Sequence, residues 1–368
     1  MRPSPFLAAL ALSLGLPATG AAQQGTASAT TPPPEARLFA SHDVLTFRLQ
    51  ADFGAVFKER GQQSTWHPAT LSYADSAGAP VMLHVQVKTR GNFRLRKETC
   101  NFPPLHLAFP KGEVKHTLFA GQSKLKLTVH CQDKRERYEQ DVLQEYLIYR
   151  AFNLLTENSF RVRLARFTYV DSAGKRDSLS RYAFFLEEDG RMANRLGGKV
   201  FPRTHVVDDA TDSSQIALVW MFEYFVGNTD WSVWALHNIV LVLRPQRLWP
   251  LAVPYDFDWS GVVDAPYARP DERLGIRSVR DRLYRGYCRT AEELAPTLKL
   301  FDDQRDAIYN LYRTQQDLDP KMRDDALKYY DEFYKTIDDS KAVKRTFIDD
   351  CRKLGLGPGR VRAIARVG

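Results

Sequence analysis

The chain has 368 residues, a formal net charge of +8 and four cysteines. Hydrophobic residues make up 44% of it and aromatic residues 12%, which is enough for a packed core and excludes a disordered polypeptide. The positive charge is spread along the chain without a polybasic run, and this argues against binding to nucleic acid.

An export signal is predicted at the N-terminus. Arg2 precedes an apolar run over 6–16, and small residues follow at 20–22. This order is typical of a cleaved signal peptide, and the run is shorter than the about 20 residues of a membrane-spanning helix. The next residues are rich in Ser, Thr, Ala and Pro, which is typical of a tether. We expect a signal peptide over 1–22, a flexible linker over 23–37, and a secreted or periplasmic protein without a transmembrane segment.

The cysteines are predicted to form two disulfides, because an even number in an exported chain is typical of oxidised pairs. Cys100 and Cys131 flank consecutive strand-like segments, whereas Cys288 and Cys351 both lie in a helical region. We therefore predict the pairs Cys100–Cys131 and Cys288–Cys351. No CxxC or CxxH spacing is present, so a zinc site is disfavoured.

The hydrophobic pattern changes along the chain from strands to helices. Alternating or strand-like segments occupy 44–49, 82–89, 105–109, 124–129, 163–171 and 182–186. Apolar residues at helical spacing predict helices over 138–155 and 214–226, and from 291 onwards, with a hairpin at 239–243 and 248–253. We expect an α+β, bilobed fold with a ligand cleft between the lobes. The strand-rich lobe would cover 38–188 and include one helix, and the helix-rich lobe would cover 189–368.

The densest group of chemically active side chains follows the second helix. Asp230 comes directly after it, Asn238 precedes the hairpin, and Asp256 and Asp258 follow the hairpin. In phosphoryl transfer, one Asp accepts the proton of the attacking hydroxyl, while an Asn and a second Asp hold magnesium against the phosphates. Taken singly, each of these residues could equally cap a helix or close a turn. Their order together favours a site.

The same residues carry a resemblance to a known family. The stretch 222–260 resembles the catalytic region of CotH-type spore-coat protein kinases and, more distantly, of HipA-like kinases. The Lys-Thr-Arg-Gly-Asn segment over 88–92 is similar to the Arg-Gly-Asn strand turn of CotH proteins. The segment over 182–187, which ends in Glu187, is similar to their strand leading into the hinge. The resemblance implies a protein-kinase-like fold with ATP as phosphoryl donor and Mg²⁺ or Mn²⁺ as cofactor.

The resemblance also implies roles for the residues just described. Asp230 would be the base, Asn238 and Asp256 would be metal ligands, and Asp258 would be a second carboxylate near the metal. Glu187 would lie at the hinge, beside the nucleotide.

A kinase further requires a Lys on a strand, paired with a Glu on the following helix. Lys126 and Glu145 are the predicted pair, with Lys124 on the same strand face as the alternative Lys. Arg90, Arg94 and Arg96 could contact phosphates or could protect a sheet edge.

Three functions remain open from the sequence. The first is an exported kinase that transfers a phosphoryl group to a hydroxyl of a protein or of a glycan in the envelope or extracellular space. The second is a non-catalytic, kinase-like binding or scaffold module of the envelope. The third is a hydrolase that uses Asp230 with Asp256 or Asp258, and such an enzyme would not need magnesium.

Overall fold

A computed structural model describes residues 34–61 and 63–353, and the predicted signal peptide and most of the predicted linker lie outside these residues. Within the described residues, seven strands form a closed barrel and three more form a small separate sheet. The barrel strands are β1 (Leu45–Ala51), β2 (His67–Ala74), β3 (Pro80–Thr89), β4 (Leu105–Ala108), β5 (Lys124–Thr128), β6 (Val162–Asp171) and β7 (Leu179–Leu186). The small sheet contains β8 (Lys199–Val200), β9 (Ile239–Leu243) and β10 (Leu251–Pro254).

Helices connect and cover the strands. They are α1 (Phe53–Lys58), α2 (Arg137–Leu155), α3 (Asp189–Arg195), α4 (Ser213–Val226), α5 (Ala291–Asp303), α6 (Arg305–Thr314), α7 (Pro320–Ile337) and α8 (Ser340–Val343). The predicted helices over 138–155 and 214–226 and the predicted hairpin are therefore present, with bounds that differ by a few residues. Among the described residues, no helix is long and apolar enough to cross a membrane.

The barrel closes because the first strand, β1, pairs with β6, the strand at the other end of the sheet order. Its order is β1-β2-β3-β4-β5-β7-β6, and β6 returns to lie parallel to β1. All other neighbours are antiparallel. Alternate residues of β3, namely Leu83, Val85 and Val87, are buried inside. Phe47, Phe167 and other rings stack there as the core of the barrel.

The predicted bilobed, protein-kinase-like fold is wrong. The strands of the predicted N-terminal lobe close into a mixed barrel, because β1 pairs with β6 and β5 pairs with β7. Period-2 patterning shows which face of a strand is buried but not which strand it pairs with, and closure removes the exposed edges of a sheet. The predicted boundary at residues 188 and 189 falls between β7 and α3, and the domain limits remain a prediction.

Both predicted disulfides are confirmed. Cys100 pairs with Cys131, and Cys288 pairs with Cys351, so no free cysteine remains among the described residues. Disulfides are typical of oxidising compartments, which is consistent with a protein outside the cytoplasm.

Candidate functional site

The β9–β10 hairpin brings two predicted metal ligands to the same end. Ile239 lies opposite Pro254, and the backbone N–H of Tyr255 donates to the carbonyl oxygen of Asn238 at 3.0 Å. Asn238 and Asp256 have positive φ angles of 53° and 64°. Asn and Asp tolerate this left-handed conformation better than most residues, and it is concentrated in turns and functional sites. The hairpin therefore presents an amide and a carboxylate from adjacent backbone positions.

Asp230 is held next to Asn238. The Nδ2 of Asn238 donates to the backbone oxygen of Asp230 at 2.7 Å and to its carboxylate at 3.1 Å. On the other side, the buried side chain of Asn228 accepts the backbone N–H of Asp230 at 3.0 Å. The structure thus brings Asp230 and Asn238 into direct contact and fixes the carboxylate at the mouth of the loop.

Helix α4 leads into this loop through a glycine. Gly227 ends the helix with a φ of 70°. A Cβ at this position would lie 1.9 Å from the hydroxyl oxygen of Tyr329, so both the backbone angle and the packing require glycine. The Gly-Asn-Thr-Asp sequence therefore serves as a helix end and also positions Asp230.

His237 is a neighbour of Asp230 that belongs to the same cluster in the sequence but was given no role there. Its Nε2 lies 2.8 Å from Oδ1 of Asp230, and this hydrogen bond raises the pKa of His237. The sequence feature that could have identified His237 is its position next to Asn238, immediately before a strand. Both oxygens of the Asp230 carboxylate consequently have hydrogen-bond partners, one from His237 and one from Asn238.

The carboxylates that follow the hairpin meet a buried arginine. Arg94 lies in a short 3₁₀ helix after β3 and is only 7% exposed. Its Nη2 is 2.9 Å from Oδ1 of Asp256, and its Nε is 3.4 Å from Oδ2 of Asp258. Its Nη1 is 3.9 Å from the carboxylate of Glu145 on α2. One guanidinium therefore connects three carboxylates from two distant parts of the chain.

Burial changes the charge properties of this acidic cluster. Glu145 and Asp258 are 2% and 5% exposed. Burial raises the pKa of Asp258 to about 6 and that of Glu145 well above its ordinary value, while Arg94 opposes both shifts. The hydroxyl of Tyr267 donates to Oδ2 of Asp258 at 2.8 Å. Asp258 therefore faces the protein interior, and its proposed role near a metal remains a prediction.

Lys126 and Glu145 have different partners from those predicted. The Nζ of Lys126 is 2.7 Å from Oδ1 of Asp189 on α3, and it lies 4.8 Å from the centre of the Tyr255 ring. Burial lowers the pKa of Lys126. Lys126 therefore lies beside the residue that precedes Asp256, although its ion pair joins it to α3. The alternative, Lys124, is exposed.

Glu187 forms hydrogen bonds and an ion pair within the protein. Its carboxylate accepts hydrogen bonds from Nε and Nη2 of Arg195 at 3.0 and 2.7 Å, and from the backbone N–H of Arg161 at 3.0 Å. It is buried. These contacts tie the end of β7 to α3, and a role at a nucleotide remains a prediction.

The candidate metal ligands of this site are oxygen atoms, which suit a hard cation such as magnesium. Among the described residues, no group of three or more His, Cys, Asp or Glu side chains is arranged to hold a metal. Magnesium, however, usually takes one or two protein oxygens together with phosphates and water. The Nδ2 of Asn238 donates to Asp230, and the Oδ1 of Asp256 accepts from Arg94. The side-chain oxygen Oδ1 of Asn238 and the Oδ2 of Asp256 are the atoms that could hold such an ion, and magnesium binding remains a prediction.

The comparisons with known proteins add little. No protein-family model and no curated protein matches the chain. A solved structure that matches it is the Helicobacter pylori proinflammatory kinase CtkA, at 10% identity, with a TM-score of 0.38. The match covers 71% of this chain and 94% of that one. A likeness at this level carries no argument about fold or activity, and the resemblance to CotH-type kinases rests on the motifs alone.

Proposed function

We propose that the protein is an exported phosphotransferase that moves a phosphoryl group from a magnesium nucleotide to a hydroxyl. The observation that carries this proposal is the hairpin end, where Asn238 is hydrogen-bonded to Tyr255, the residue before Asp256, and Asp230 is hydrogen-bonded to Asn238. An amide and two carboxylates within one loop cluster are the groups that phosphoryl transfer requires.

Each residue would have a distinct role. Asn238 and Asp256 would hold the magnesium ion, which neutralises charge on the phosphates. Asp230 would receive the proton of the acceptor hydroxyl. The hydroxyl oxygen would then bond to the γ-phosphorus, while the bond from that phosphorus to the nucleoside diphosphate breaks. His237 would keep the carboxylate of Asp230 oriented, through the 2.8 Å contact.

One observation supports a second candidate, a non-catalytic binding module of the envelope. Asp256 already forms an ion pair with Arg94 at 2.9 Å, so it has a cationic partner without a metal. A protein whose acidic cluster served only to hold the fold together would have the same contact. The two candidates differ in whether ATP binding depends on magnesium.

Calorimetric titration with ATP, with and without magnesium, tests the proposal. Wild type should bind ATP more tightly with magnesium, and Asp256→Ala should abolish that difference. Asp230→Asn should bind within a few-fold of wild type but transfer phosphate about 10²–10⁴ times more slowly, as expected for loss of a general base. Asp324→Ala is the matched control, because Asp324 is exposed and pairs with its neighbour Arg323.

The outcomes separate the two candidates. Absence of magnesium-dependent ATP binding by the wild-type protein would contradict the phosphotransferase and favour the binding module. The same conclusion would follow if Asp256→Ala bound magnesium–ATP as wild type does.

A further inference from the structure

A cavity of about 220 Å³ adjoins the loop that carries Asp230. One wall is the segment 231–234, which directly follows Asp230, and it includes the exposed ring of Trp234. Arg285, Tyr287 and Arg352 also line the cavity. No role has so far been assigned to this cavity, although it shares a loop with the proposed base.

The cavity is bordered by two guanidinium groups. Nη1 of Arg285 donates to the carbonyl oxygens of Thr229 and Trp231, at 2.7 and 2.8 Å. These are the residues on either side of Asp230, so the position of Arg285 is tied to that of the carboxylate. Arg352 is exposed, and its guanidinium lies 4.8 Å from the centre of the Tyr287 ring.

Among the described residues, no carboxylate pairs directly with either guanidinium, although Asp208 attracts both of them and Glu223 and Asp230 attract Arg285. Within 34–61 and 63–353, neither Arg285 nor Arg352 forms an ion pair. Asp208 also lines the cavity, but it is buried and accepts the indole N–H of Trp220 at 3.0 Å. The cavity thus carries an excess of positive charge beside an exposed aromatic ring.

A disulfide holds Arg352 in place. Cys351 is bonded to Cys288. The backbone N–H of Arg352 donates to Gly286 at 2.9 Å, and its carbonyl accepts the N–H of Cys288 at 3.1 Å. A residue far along the chain is therefore fixed against the strand-like segment that carries Arg285.

We propose that this cavity binds an acidic side chain of a peptide whose nearby serine or threonine is the phosphoryl acceptor. The inference rests on the proposed function and specifies its acceptor. Guanidinium forks match a planar carboxylate and can bind it through paired hydrogen bonds. An extended peptide advances about 3.3 Å per residue, so an acidic residue one or two positions from the acceptor hydroxyl lies about 3–7 Å from it along the peptide. Arg285 is hydrogen-bonded to both neighbours of Asp230, on the same loop.

The size of the cavity favours a peptide over an oligosaccharide. Sites for drug-sized ligands have volumes of about 300–1,000 Å³, and this one is smaller. It accommodates one side chain, and an acidic one is preferred because of the charge.

The test measures peptide binding without nucleotide or magnesium. The probes are a fluorescent peptide with one serine flanked by glutamates and its counterpart with glutamines. Wild type should bind the glutamate peptide about tenfold more tightly, the value of one charge-assisted hydrogen bond at a solvated site. Arg352→Gln should lose that preference, whereas Arg273→Gln should keep it, because the Arg273 side chain is 88% exposed and pairs with Asp271.

Three results would overturn the inference. These are equal affinity for the two peptides, an unchanged preference in Arg352→Gln, and tighter binding of a uronic-acid oligosaccharide than of the glutamate peptide. Magnesium–ATP binding is measured separately. If the glutamate preference is present and depends on Arg352 while magnesium–ATP does not bind, the acidic-peptide site stands and the proposed phosphoryl transfer fails.

Discussion

Replacing Arg94 with methionine should destabilise the protein strongly. Met has a similar length and no charge, so the change removes the guanidinium without creating a large cavity. Arg94 contacts Glu145, Asp256 and Asp258, and two of these carboxylates are at most 5% exposed. The variant would leave those carboxylates buried without their cation.

The expected loss follows from this unpaired state. At an effective dielectric constant of about 20, opposite charges about 4 Å apart attract by about 4 kcal/mol, and this attraction offsets the cost of burying the ions. Removing one partner of a buried ion pair costs about 3–5 kcal/mol, because the desolvation cost of the other partner remains. We expect a loss in that range for Arg94→Met. Arg94→Lys should lose less, because it keeps the charge but not the fork that contacts three carboxylates.

Urea unfolding followed by tryptophan fluorescence measures the loss. Arg273→Met is the control, because an ion pair of this exposed arginine should contribute little to stability. If Arg94→Met lost no more than the control, the carboxylates would not depend on Arg94 for their burial, and the electrostatic reasoning would be refuted.

Two further changes test other parts of the structure. Burial raises the pKa of Glu223 from 4.5 to about 8, so its contribution to stability is complete below about pH 4.5 and is lost as the pH rises through about 8. Glu223→Gln should flatten the dependence of the melting temperature on pH between about 4.5 and 8, and an unchanged slope would contradict this assignment. Replacing Cys288 and Cys351 together with serine should lower the free energy of unfolding by about 4 kcal/mol, because their loop spans 63 residues. Urea unfolding measures that loss. Thiol titration of the unreduced, unfolded wild type should find no free cysteine, and reactive thiols would count against the pairing.

The sequence predicted local structure better than the way strands combine. The helix that ends at Leu155 carries apolar residues at helical spacing and the helix that ends at Val226 is apolar, so each pattern is contained within its own segment. The barrel depends on contacts between segments that lie far apart, such as Leu45 with Ala165. A repeating pattern within one strand carries no information about that partner, so closure could not be predicted.

In the candidate site, too, relations within one segment were easier to predict than contacts between distant segments. Asn238 and Asp256 were predicted to be close because one hairpin separates them, and the hairpin is present. The partners of Lys126 and Glu145 were not predicted correctly, because each depends on a side chain from a remote segment. Lys126 pairs with Asp189, and Glu145 lies beside Arg94. For Arg94, the sequence predicted either contact with a phosphate or protection of a sheet edge. The structure shows a buried ion pair instead.

The contact between Arg94 and Asp256 links the barrel to the hairpin, across 162 positions in the sequence. Arg94 follows β3, and Asp256 follows β10. The backbone N–H of Asp256 also donates to the hydroxyl of Tyr149 on α2, at 2.7 Å. A change in the position of β3 or α2 would consequently move the carboxylate that is proposed to hold magnesium. The geometry of Asp256 therefore depends on packing outside its own loop, and substitutions in the barrel should alter magnesium-dependent binding even where the loop sequence is intact.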